Sequence, residues 1–246
     1  MIRDILLAGG VAAILAASPA HAHLVFEGPV DLGGTGLGAV DTILTMNAQG
    51  SNTAESGKVS WACTPACHDV VTGDPNPPGY TPTGSTQMTG INHTILVSAT
   101  GWTGSQSLGI IFNPAEPGPL GGLANQITLN NLEMTIYNAT TGAVLFSAPW
   151  LDGPMTLFAV DPGTGNSGYL FSLDTPETLQ LLASGVTGND RIGLLAYATG
   201  AQGGNETFFG TVIALDPDPD PVPEPATLAI FGSALLGLGA LRRRRR

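Results

Sequence analysis

The run Cys63-Thr64-Pro65-Ala66-Cys67-His68 is the densest group of chemically capable side chains in the sequence. Its spacing lies one residue away from the C-x-x-C-H pattern that attaches haem. A haem there would need an axial ligand, for which Met88 is the candidate. The two thiols and the imidazole are also metal-ligating groups. In an exported chain, though, two cysteines most simply form a disulfide, and a Cys63–Cys67 bond is the expected state. Asp74-Pro75-Asn76-Pro77-Pro78-Gly79 follows closely, so the region reads as a long loop whose fraying the staple limits. His23 is the second group of interest. At a mature N-terminus it would offer an amine and an imidazole nitrogen together, donors that suit copper, with His68 and His93 as the available partners.

Hydrolytic chemistry has thinner support. The sequence holds no G-x-S-x-G and no H-E-x-x-H. His93 stands in Asn92-His93-Thr94 without a nucleophile motif beside it. The acidic residues are scattered, which fits solvated surface charge better than a glycosidase pair. The glycine stretch 33–38 lacks the strand-to-helix setting of a phosphate site, and Gly203-Gly204 is a bare pair; both read as surface loops. Trp61, Trp102 and Trp150 could form a stacking platform for sugars if a sheet presents them outward.

Charge narrows the partners. Between Asp4 and Pro223 the only basic residues are Lys58 and Arg191, set against 17 carboxylates. So acidic a body lacks the Lys and Arg needed to neutralise a phosphate backbone, which excludes nucleic acid. No cofactor is expected. Cations and neutral glycans remain compatible.

Both termini carry addresses. Arg3, an apolar run over 5–17 and the small-residue end Ala20-His21-Ala22 make a secretory signal peptide over 1–22, cut by signal peptidase to leave His23 first. At the other end, 216–222 alternates aspartate with proline and acts as an extended spacer. The segment 226–241 is apolar and would rise ~24 Å as a helix, short for a ~30 Å hydrocarbon core. Arg242, Arg243, Arg244, Arg245 and Arg246 form a stop-transfer that stays cytoplasmic.

The motif Pro223-Glu224-Pro225, a glycine-containing apolar segment (Gly232, Gly237, Gly239) and a terminal arginine cluster, in that order, resemble the PEP-CTERM sorting signal. The same tail is also called an ice-binding-protein C-terminal domain. The resemblance implies export across the inner membrane of a Gram-negative bacterium and transient membrane anchoring. An exosortase would then process the tail, leaving the protein in the envelope or outside the cell. It also implies an exopolysaccharide-producing host. The Ala-His-Ala site followed by His23-Leu24-Val25 is similar, over a few residues, to the start of periplasmic copper chaperones and, more loosely, of lytic polysaccharide monooxygenases.

The elements that must position these residues are strands. Leu132, Met134 and Ile136 alternate with Glu133, Thr135 and Tyr137 along 126–137. A turn at 138–142 then leads to a returning strand over 143–147, making a hairpin. Further strands are expected over 42–47, 58–62, 94–99, 108–112, 156–160, 168–173, 191–198 and 207–215. Thr175-Pro176-Glu177, followed by Leu179, Leu181 and Leu182 before Gly185, marks one short helix. Glycine and proline together make up just over a fifth of the chain, which fits many turns. The expectation is an all-β body over 23–215, an antiparallel β-sandwich of jelly-roll-like form, with a signal helix before it and a transmembrane helix after it. In function, the sequence points to a non-enzymatic envelope or extracellular-matrix protein associated with exopolysaccharide or biofilm. The alternative is a carbohydrate-binding module, or a glycan-active or copper protein built on His23.

Overall fold

The computed structural model describes residues 22–31, 41–47, 53–72, 92–119, 121–159 and 167–214. The signal segment before Ala22, the stretch 33–38, Met88, the Asp-Pro spacer and the tail 223–246 lie outside the described residues. The chain divides after Ala214 into two units, and the described residues all belong to the first.

Two antiparallel sheets face each other across one core, as the alternating apolar residues require. The first holds β1 (Val25–Asp31), β10 (Ser167–Ser172), β6 (Ser107–Asn113), β12 (Glu206–Ile213) and β2 (Thr42–Met46), in that spatial order. The second runs β4 (Cys67–Thr72), β3 (Ala54–Cys63), β11 (Arg191–Thr199), β7 (Gln126–Tyr137), β8 (Val144–Pro149). Short β5 (Ile95–Leu96) adds to β11, and β9 (Met155–Phe158) adds to β7. The inner faces supply Leu44, Met46, Ile110, Phe112, Phe171 and Phe208 from one sheet and Val59, Leu132, Met134, Ile136, Ile192 and Leu194 from the other, all buried. The expected β-sandwich is therefore the observed fold.

Strand β7 shows how sequence sets this layer. Ile127 and Leu129 are buried in odd phase, whereas Leu132, Met134 and Ile136 are buried in even phase. A strand of strict period two would turn one of these groups to solvent. The register against β11 breaks between Tyr197 and Ala198, which face Asn131 and Leu129, so Asn130 is the extra residue of a β-bulge. Its amide donates to Thr128 O at 3.0 Å and Thr199 Oγ1 at 2.8 Å. One inserted polar residue thus keeps both apolar groups on the core side.

Three local expectations are corrected. The strand expected over 94–99 shrinks to β5, because Val97–Thr100 coils into a 3-10 turn closed by Gly101 in the left-handed region. The loop expected around the cysteines is strand from Cys67 onward: β4 pairs with β3 from Cys63↔Cys67 to Lys58↔Thr72. β1 forms where no strand was expected, since its Gly28, at φ 109° beside a bulge, and Pro29 break the alternation that would reveal it.

Among the described residues the single α-helix, α1 (Thr175–Ala183), crosses from the first sheet to the second between β10 and β11. Its cap is Asp174, whose Oδ1 accepts the Glu177 N–H at 3.2 Å, and a proline occupies the first turn. Among the described residues no helix is long and apolar enough to cross a membrane.

Candidate functional site

The sandwich has two ends, and each gathers polar side chains. At one end lie α1, the start of β11 and the Cys63–Cys67 hairpin. Cys63 and Cys67 are bonded to each other and no free cysteine remains. Antiparallel strands of alternating phase set them opposite one another in register, so a staple here closes a hairpin end. Beside it the Arg191 guanidinium lies 4.3 Å from the Trp61 ring centre and donates to Thr94 O at 3.0 Å. Asp69 Oδ1 accepts from Thr94 N–H and its hydroxyl. Asp190, buried, accepts from the Thr187 N–H (2.8 Å), the Thr187 hydroxyl (2.9 Å) and the Ala139 N–H (3.2 Å).

His23 belongs to the same end. Leu24, fully buried, donates its N–H to Pro149 O at 2.9 Å and bridges to Trp150, which fixes the segment against the second sheet. The His23 Nδ1 then sits 3.0 Å from Glu177 Oε1 on the first turn of α1. The nitrogen best placed for chelation next to the α-nitrogen is thereby engaged by a carboxylate. His68 is exposed on β4 with Nδ1 against Ala66 O, and His93 is exposed before β5. Among the described residues no three His, Cys, Asp or Glu side chains gather to hold a metal ion, so neither histidine completes a set with His23 and Glu177.

The opposite end is built from loops that pass between the sheets. Glu116 follows β6, and its Oε2 accepts the Gln202 N–H at 2.7 Å from the loop joining β11 to β12. Gly204 has φ 124°, and a Cβ there would come within 2.1 Å of Ala115 O. The glycine pair read as a loose surface loop is therefore a close backbone crossing, with glycine required at Gly204. Glu206, at the start of β12, is fully buried. Neither Glu206 oxygen nor Glu116 Oε1 meets an N–H or hydroxyl donor. Burial pushes the Glu116 carboxyl up to about 8 and the neighbouring Glu206 adds to this, against the lowering effect of the Gln202 and Gly203 N–H groups. Glu116 is thus protonated at neutral pH, and its proton is the hydrogen that can join the two carboxyls.

The expectation that the acidic residues are surface charge is corrected for Glu55, Glu116, Glu177, Asp190 and Glu206, all buried. Chain phase holds a signal for two of them. Glu55 shares the inward phase of Gly57 and Val59, and Glu206 shares that of Phe208. The tryptophan platform is also corrected. Trp102 and Trp150 are buried in the core, where Trp150 meets Phe171 edge-on, and Trp61 carries Arg191 over its ring. The three therefore form no shared platform.

The residues with the clearest address lie beyond this body. Residues 221–246 match the PEP-CTERM protein-sorting motif, a span that contains Pro223, Glu224, Pro225 and the five terminal arginines. The chain carries a PEP-CTERM sorting signal, which implies export and transient membrane anchoring in a Gram-negative bacterium and processing by an exosortase. No curated protein and no solved structure matches the chain.

Proposed function

We propose that the body is a non-enzymatic component of the cell envelope or extracellular matrix, cut from its leader by signal peptidase, released through exosortase processing and associated with exopolysaccharide in a biofilm. The observation that carries this reading is the sorting motif at 221–246 on a chain whose body has only two basic residues. Its buried carboxylates hold loops and a helix in place, which gives them structural work. A body with so little positive charge also avoids tight capture by acidic surfaces and remains compatible with neutral glycan.

The test compares the full chain in hosts with and without active exosortase. Fractionation should place it in the envelope or medium in the first and in the inner membrane in the second. Intact-mass analysis should find a mature chain that begins at His23 and lacks Arg242 to Arg246. Retention of those arginines in exosortase-positive cells would sink the sorting step. Stoichiometric copper on the purified protein, or glycan cleavage by it, would overturn the non-enzymatic part.

A further inference from the structure

Glu177 is a buried carboxylate with half of its bonding unmet. Its side chain is 5% exposed, Oε1 faces His23 Nδ1 at 3.0 Å, and Oε2 is buried without any donor. At the third position of a helix a glutamate commonly reaches back to the capping residue's N–H. Here the side chain turns to His23 instead. An unpaired buried carboxylate oxygen loses its hydration without a replacement bond, so a donor is wanted at this position.

The donor is latent in the chain. The Ala22–His23 bond is the one expected to be cut by signal peptidase. Hydrolysis adds water across it, leaving a carboxylate on Ala22 and an amine on His23 that takes up a proton. The imidazole and the α-nitrogen belong to one residue, so the contact holding the ring at Glu177 brings the new ammonium within a residue's reach of the same carboxylate. Leu24, locked against Pro149 and Trp150, prevents the segment from drifting away. The loss of Ala22 from the core removes only one methyl side chain.

We propose that Glu177 is the receptor for the mature N-terminus: cleavage after Ala22 frees the His23 α-ammonium to pair with Glu177 Oε2, so that processing completes the fold. The pairing rests on export through signal peptidase and is independent of any matrix role. It also occupies the two His23 nitrogens that a copper ion would use.

The experiment uses the full exported chain in four forms. These are the wild type, an insertion of Gly-Ser between Ala22 and His23 that moves the mature amine two residues away, Glu177→Gln, and the two changes combined. Mass spectrometry first fixes each N-terminus. The insertion should lower Tm by roughly 3–6 °C in the wild type, as expected for ~1–2 kcal/mol in a body of this size. In the Glu177→Gln background, whose side chain still accepts from the imidazole, it should have no effect. A wild-type mature chain that begins elsewhere than His23 overturns cleavage and pairing together. A chain that begins at His23 and shows the same drop, or none, in both backgrounds overturns the pairing alone.

Discussion

The two ends of the sandwich bury carboxylates in opposite ways. Around α1 and the disulfide hairpin, Asp190 is met by two N–H groups and a hydroxyl, and Arg191 is packed on Trp61 nearby. At the far end Glu116 and Glu206 face each other, and of their four oxygens only Glu116 Oε2 meets backbone N–H groups. Of the body's two basic residues, Arg191 is packed on Trp61 at the other end and Lys58 lies on β3. Asp190 is met by donors supplied by the chain, and the Glu116–Glu206 pair by a borrowed proton. The raised carboxyl of Glu116 makes this pair sensitive to pH.

Asp190→Ala would break the comparison most strongly. It strands two backbone N–H groups and a hydroxyl, and should cost about 3 kcal/mol by urea unfolding. Glu116→Gln sharpens the contrast from the other side. The folded value of Glu116 is raised to about 8 from 4.5, so its contribution to stability is complete below pH 4.5 and declines as pH rises through 8. The glutamine keeps an acceptor for Gln202 and gives Glu206 a permanent donor. The variant should match the wild type near pH 5 and exceed it at pH 8.5 by about 1–3 kcal/mol. The smallest effect should come from replacing Cys63 and Cys67 by serine. Closing so short a loop removes little unfolded-state entropy, and the expected loss is about 1–2 kcal/mol, without pH dependence.

Much of this architecture is visible in the sequence because half-buried strands advertise themselves. The expected bounds of 126–137 are the bounds of β7, and the starts of β2 and β11 are also recovered. The misses have physical causes. β1 carries a bulge and Gly28-Pro29, which erase alternation, and β4 sits on the sheet edge next to a proline-rich stretch. The tail is legible because its determinants are contiguous in the sequence. The Glu116–Glu206 pair is the reverse case. Ninety residues separate the two, and only the meeting of two inter-sheet loops joins them.

The edges of the two sheets have a further consequence. β2 has five residues, β4 has six, and β1 is bulged at Phe26/Gly28 and carries Pro29. The remaining edge is divided, because β8 pairs with one half of β7 and β9 with the other. Among the described residues, no border therefore offers a long, regular row of open peptide groups on which another chain could lay a strand. For an exported protein, such interruptions disfavour edge-to-edge growth into fibrils and leave any association between copies to side chains.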